Sequence, residues 1–219
     1  MQNKTAFSWQ RYNSTPIVGI VRGLGIDTVR QIVDAYISAH YYTIEITMNT
    51  PSVAEIIAEL RLNYPDLNVG AGTVCTMADL DTAIAAGAQF IVTPIIDEAV
   101  IKKCVEMQIP IFPGAYTPSE IYKAWSIGAS AVKVFPATQL GPQYIKDVLA
   151  PLNQIKLMPT GGVSKENINS FFEAGVVGAG MGSSLFNKQM IKDNDFDALQ
   201  NHFIAIRNEI KLFTKKIAL

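Results

Sequence analysis

Followed as apolar and polar positions, the chain resolves into short hydrophobic runs separated by longer stretches with helical spacing. The first run, Ile17-Val18-Gly19-Ile20-Val21-Arg22, is close to continuously apolar, which suits a parallel strand buried on both faces. From about Asp27 to Ala39 the period becomes helical, with Val29, Ile32, Val33 and Tyr36 on one side. The same alternation repeats along the chain. Strands are predicted at 43–47, 68–74, 90–94, 110–113, 131–135, 156–159 and 176–181. Helices are predicted from Pro51-Ser52 to about Tyr64, over 77–86, from the capping Asp97 to about Met107, and from Thr117 to near Gly128. The last of these starts Thr-Pro-Ser-Glu, a cap, a proline and an acid at the third position. Further helices are expected at 143–150, from Ser164 to about Ala174 and from Phe196 to Phe213. A short one at 5–13 precedes the stop at Pro16.

Eight strands in unbroken alternation with helices favour a (β/α)8 TIM barrel, built as a single domain over residues 1–219. A weak internal repeat supports it. Near Gly87, Gly128 and Gly175 a helix stops at glycine and a strand starts at once, as a left-handed helix end requires. His40 holds the matching place after the first of the long helices and reads as a helix-end residue rather than a catalyst. The competing architecture is an open doubly wound sheet. It asks for a glycine fingerprint after the first strand, and Gly23-Leu24-Gly25 lacks both the third glycine and a suitably spaced ribose-binding acid.

Composition narrows the field. The chain has 219 residues, 49% of them apolar, and a formal net charge of −1, so neither a nucleic-acid surface nor a polybasic membrane patch is expected. The N-terminal residues lack a signal-peptide apolar core, and there is no run of about 18 apolar residues, so the expectation is a soluble cytoplasmic protein without membrane contact. Cys75 and Cys104 form no metal or redox spacing, and the two histidines, His40 and His202, are isolated. No metal site or bound cofactor is expected.

The chemistry centres on Ala131-Val132-Lys133-Val134-Phe135-Pro136. A buried lysine loses the hydration of its ammonium, and no acid in the strand pairs with it. Two readings stand side by side. The amine is held neutral and attacks a carbonyl to form a Schiff base, or the side chain reaches from a strand end to solvent. In a barrel the C-terminal strand ends carry the site. Arg22, Glu45, Thr73 and Lys133 fall at or near such ends. Glu45, flanked by Ile44 and Ile46, points inward, either as a general acid/base or as a structural partner of Lys133 or Arg22. Gly161-Gly162 and Gly182-Ser183 occupy the two loops where this fold binds phosphate; tight turns alone are the alternative.

Glu45-Ile46-Thr47, Gly70-Ala71-Gly72-Thr73-Val74, Val132-Lys133-Val134-Phe135-Pro136-Ala137, Pro159-Thr160-Gly161-Gly162-Val163 and Gly180-Met181-Gly182-Ser183-Ser184 resemble the 2-keto-3-deoxy-6-phosphogluconate aldolase family. That family includes 4-hydroxy-2-oxoglutarate and 6-phosphogalactonate aldolases, and the resemblance runs from about Pro16 to Phe186. It implies Lys133 as Schiff-base lysine, Glu45 as acid/base, Thr73 as a pyruvate contact, Pro94 and Phe135 as pocket lining, and Gly161, Gly162, Gly182 and Ser183 as phosphate contacts. It implies a phosphorylated 2-keto acid substrate, a homotrimer and no metal. Asn49 stands where the best-known branch has a carboxylate-binding arginine. Arg22 is the cation available here, an arrangement similar to the phosphogalactonate branch. A phosphosugar isomerase or epimerase, and a barrel that only binds phosphorylated ligands, remain as the rival classes.

Overall fold

The structure, a computed structural model, describes residues 6–217; positions 1–5 and 218–219 of the expected domain, and so the first residue of the expected 5–13 helix, lie outside the described residues. A helix α1 (Trp9–Ser14) precedes β1 (Ile17–Val21). There follow α2 (Ile26–Ser38), β2 (Thr43–Thr47), α3 (Val53–Asn63), β3 (Asn68–Gly72), α4 (Met77–Ala85), β4 (Ile91–Val92) and α5 (Glu98–Glu106). The chain continues with β5 (Ile111–Phe112), β6 (Gly114–Ala115), α6 (Pro118–Ile127), β7 (Val132–Val134), α7 (Gly141–Leu149), β8 (Leu157–Pro159), α8 (Ile168–Glu173) and β9 (Ala179–Met181). Helices α9 (Lys188–Lys192), α10 (Phe196–Glu209) and α11 (Lys211–Ile217) follow.

Every strand pair is parallel, as crossover helices between strands demand. One curled sheet has the order β5-β4-β3-β2-β1-β9 and the other β6-β7-β8. The expected fifth strand, 110–113, is instead split into β5 and β6 by Pro113, which has no N–H to give a ladder. Its carbonyl still accepts from Lys133 N at 2.9 Å, while Ile111 O accepts from Ser130 N at 2.9 Å, so one stretch of chain serves both sheets. At the other edge Thr160 and Gly180 form a parallel bridge.

Other boundaries shift for local reasons. The third strand ends at Gly72 because Thr73 has φ +60°, in the left-handed region and outside any strand conformation. The last strand begins only at Ala179; Gly178, just before it, lies against the Tyr12 hydroxyl with no room for a side chain. The expected 196–213 helix breaks at the fully buried Ile210 into α10 and α11. The helix-end reading holds: Gly87, Gly128, Gly175 and His40 all have positive φ, with His40 at +62°. Thr117 and Glu120 form the expected capping box, and Asp97 accepts from Val100 N.

The strand period of two divides the core. Ile17, Ile44, Ile46, Val69, Val132 and Val134 face the helices, where Val29, Ile32, Val33, Tyr36, Ile57 and Leu60 meet them. The alternate positions face inward, where Val18, Phe90, Val92, Phe112, Ala131 and Met158 pack together with Phe7 and Tyr12 from the N-terminal segment. That segment is tied to the strand starts. Ser8 exchanges hydrogen bonds with the Asn68 side chain, and the Tyr12 hydroxyl donates to Val177 O at 3.5 Å. The plug therefore sits at the N-terminal ends of the strands and leaves the C-terminal ends for the site. Among the described residues no helix is long and apolar enough to cross a membrane.

Candidate active site

Glu45 lies in the middle of β2, in register with Ile20 of β1 and Gly70 of β3, and is 1% exposed. With Ile44 and Ile46 committed to the helix side, the pleat sends it inward. Its carboxyl group lies directly over Gly72, where a Cβ would overlap Oε1. Oε2 is buried without a hydrogen-bond partner. Burial pushes the carboxyl above the usual carboxylate range, against the opposing pull of Lys133 and then Arg22. Lys133, on β7 beside Gly114 and Met158, is 5% exposed. Its Nζ stands 4.8 Å from the centroid of the Phe135 ring. Burial lowers its pKa; the Glu45 charge works against that shift and the Arg22 charge reinforces it. The pair thus comprises an acid shifted toward keeping its proton and an amine shifted toward losing one.

Arg22 follows β1 directly and is exposed, and its Nη2 donates to Thr73 Oγ1 at 3.4 Å. Thr73 follows β3 directly. Its φ of +60° is costly for a β-branched side chain. Around Arg22 the backbone is pinned by Thr50, whose Oγ1 accepts from Gly23 N at 3.0 Å and lies 3.1 Å from Thr47 Oγ1. Asn49 is exposed. Pro94, two residues beyond β4, is half-buried; its carbonyl packs against Gly114, the β6 partner of Lys133.

The glycine loops follow β8 and β9. Gly161 and Gly162 have φ of +86° and +75°, and a Cβ on Gly162 would come within 2.7 Å of Thr138 Cα, so the turn requires glycine twice over. The two loops are joined by Ser184 Oγ, which donates to Val163 O at 2.6 Å. Beside them opens a cavity of about 650 Å³ lined by Arg22, Phe135, Gly161, Gly162, Gly182 and Ser183. The structure therefore brings six of the sequence-predicted site residues to one cavity. Lys133, Glu45, Thr73 and Pro94 are outside its lining; electrostatic coupling and direct contact connect the first three to Arg22 and Phe135.

Four residues escaped the sequence reading as parts of the site. Gly72 makes room for the Glu45 carboxyl group. Thr160 lines the cavity and has a buried Oγ1 without a hydrogen-bond partner. Lys188 and Lys192, also in the lining, stand four apart on α9, a spacing that puts both on one side of a helix and was there to be read. Cys75 and Cys104 are free thiols, and no cluster of three His, Cys, Asp or Glu suited to a metal occurs among the described residues.

Comparison with known proteins follows the same line. The family model "KDPG and KHG aldolase" matches residues 10–202. The 2-dehydro-3-deoxy-6-phosphogalactonate aldolase of Escherichia coli K12 is 37% identical over 180 residues, covering 81% of this chain and 87% of its own. The 2-dehydro-3-deoxy-phosphogluconate aldolase of Haemophilus influenzae is 33% identical over 191 residues, covering 87% and 90%. The solved structure of native KDPGal superposes with a TM-score of 0.85 at 31% identity, over 94% of this chain and 98% of that one.

Proposed function

This chain belongs to the KDPG and KHG aldolase family, and from that premise we propose that it is a Schiff-base aldolase cleaving 2-keto-3-deoxy-6-phosphogluconate to pyruvate and glyceraldehyde 3-phosphate. The observation that carries the mechanism is Lys133: a buried lysine, shifted toward the neutral amine, whose Nζ makes no hydrogen bond or ion pair among the described residues. Such an amine is a nucleophile without the need for a metal.

The neutral Nζ of Lys133 attacks the C2 carbonyl carbon to give a carbinolamine. Loss of water, its oxygen protonated by a nearby acid, leaves an iminium. Glu45 as carboxylate then takes the proton of the 4-hydroxyl, the O–H pair becomes the new aldehyde C=O, and the C3–C4 bond breaks. Its electrons flow into the iminium and form the enamine of pyruvate. Glyceraldehyde 3-phosphate leaves. Glu45 returns its proton to the C3 carbon, and water hydrolyses the iminium to pyruvate and free Lys133. The raised pKa of Glu45 suits a group that must alternate between proton acceptor and donor.

Arg22 meets the substrate carboxylate with Thr73, while Pro94 and Phe135 shape the pyruvate pocket. Gly161, Gly162, Gly182 and Ser183 hold the phosphate through backbone and hydroxyl donors. Two facts support the closed (β/α)8 barrel of one domain, 1–219, behind this reading. One chain segment, Ile111–Ala115, pairs in both sheets, and the Thr160–Gly180 bridge joins their far edges. A homotrimer, on the strength of the family resemblance, and a cytoplasmic location complete the proposal.

A second substrate reading, the C4 epimer 2-keto-3-deoxy-6-phosphogalactonate, is favoured by the presence of arginine at 22 together with asparagine at 49, the combination of the phosphogalactonate branch, and by the 37% identity to an aldolase named for it. The non-phosphorylated 4-hydroxy-2-oxoglutarate is a third candidate within the same chemistry. The test is pyruvate release from each of the three compounds at matched concentration. Turnover of either phosphorylated epimer at least tenfold above the non-phosphorylated acid is expected (about 1.4 kcal/mol of discrimination). No pyruvate from any of them overturns the aldolase reading and returns the isomerase class.

A further inference from the structure

The cavity beside the glycine loops carries two cations that the mechanism above does not use. Lys188 and Lys192 both line it, and Ile191 between them lines it too, so this side of α9 is turned to the cavity. Neither lysine makes a hydrogen bond or ion pair among the described residues. The acid that follows them, Asp193, is engaged elsewhere: both of its carboxylate oxygens accept from the Gln189 amide, at 2.9 and 2.8 Å. The same cavity wall holds Thr160, whose buried Oγ1 has no partner. Backbone N–H groups of the two loops are neutral donors, whereas a phosphate monoester carries about 1.5–2 negative charges at neutral pH. Arg22, the other cation of the lining, is taken up by the carboxylate end in the reading above.

We infer that Lys188 and Lys192 form a cationic rim that recognises the phosphoryl group and sets the preference of this chain for phosphorylated over unphosphorylated 2-keto acids. The identity of the substrate in this statement rests on the aldolase reading; the anion site does not. The two lysines act from the solvent side, as long flexible point charges that draw the phosphate toward the glycine loops and hold it against them. Both are exposed, so their field is strong only at low salt.

The test compares wild type with Lys188→Gln/Lys192→Gln, which keeps side-chain length and removes charge, and with Lys188→Arg/Lys192→Arg, which keeps charge. If a double variant fails to fold, each single variant carries the same comparison. Inorganic phosphate binding, followed by calorimetry, is expected to weaken about 3–30-fold in the glutamine pair and by no more than about threefold in the arginine pair. The loss should largely vanish in about 1 M salt. On 2-keto-3-deoxy-6-phosphogluconate the glutamine pair should raise KM by a similar factor with kcat held. On 2-keto-3-deoxygluconate, the same molecule without the phosphate, kcat/KM should stay within about twofold. Equal phosphate affinity in wild type and glutamine pair, no phosphate binding in wild type, or equal losses on both substrates would each overturn the inference. Phosphate binding that still depends on the lysines in a chain that releases pyruvate from neither phosphorylated epimer nor from 4-hydroxy-2-oxoglutarate would sink the aldolase reading and leave the rim standing.

Discussion

Replacing Gly72 by alanine puts a methyl group where the Glu45 carboxyl group now lies. A Cβ at position 72 would stand 2.5 Å from Glu45 Cδ and 3.1 Å from Cγ, and would overlap Oε1. Two non-bonded carbons settle at about 3.5 Å, so the carboxyl carbon must retreat by about 1 Å. The backbone has little freedom to share that movement, because β2 and β3 are paired along five successive positions from Thr43–Asn68 to Thr47–Gly72. Overpacking of this kind costs about 1–3 kcal/mol, which for a chain of this size is a fall in Tm of about 2–12 °C. The kinetic effect is expected to be larger in proportion. Displacing an acid/base by about 1 Å can cost about 10²-fold. Pyruvate release, coupled to NADH oxidation by a dehydrogenase, reads kcat. Reductive trapping of pyruvate reads the amine separately and should stay near normal, since Lys133 is on β7 and the atoms a Cβ at 72 would meet first are all those of Glu45. A lowered Tm together with kcat within about twofold of wild type would refute the reasoning, because it would show that turnover is indifferent to where the Glu45 carboxyl group stands.

Further outcomes follow from the same geometry. Lys133→Met is expected to abolish cleavage and to hold or raise stability, as methionine has similar length and suits burial better. Between the lowered folded pKa of Lys133 and the ordinary lysine value near about 10.4, the unfolded chain holds a proton that the folded chain has released. Wild-type stability therefore rises with pH across that window and is lost as pH falls through the folded value. The stability gained by Lys133→Met should accordingly shrink as pH climbs toward that upper limit, and denaturant melts at several pH values check the sign. Glu45→Gln should slow turnover about 10²–10⁴-fold with trapping still detectable, whereas a loss under about tenfold would demote Glu45 to a structural partner. Arg22→Ala should weaken pyruvate binding by about 0.2–1 kcal/mol, the range of an exposed ion pair, and leave inorganic phosphate binding nearly unchanged; calorimetry with each ligand separates this from the reverse pattern, which would assign Arg22 to the phosphate end.

Much of this architecture was legible along the chain because it depends on short periods. The pleat at Thr43–Thr47 places Ile44 and Ile46 outside and Glu45 inside with no help from distant residues, and the same count fixes Lys133 between Val132 and Val134. The helix-ending role of Gly128 and of His40 was equally local. What stayed hidden was set by contacts across the sequence. Pro113 looks like a strand end but interrupts a strand shared between two sheets. Thr73 gives no sign of its left-handed backbone, which no rule of residue preference would assign to a threonine. Gly72 matters because of a side chain one strand away, and Gly178 because of Tyr12, far off in sequence. The lysines of α9 were visible as a spacing, but their meaning depends on how a five-residue helix is laid against the loops after β8 and β9.

The central claim is that the amine of Lys133 forms a covalent bond to the keto carbon. Borohydride added to the protein with pyruvate, followed by peptide mapping, tests it most directly. The account predicts the mass of one reduced pyruvate on the peptide that contains Lys133, dependent on both reagents and absent from Lys133→Met. Turnover of a phosphorylated substrate with no adduct on that peptide, or an adduct that persists in a folded Lys133→Met variant, would contradict it.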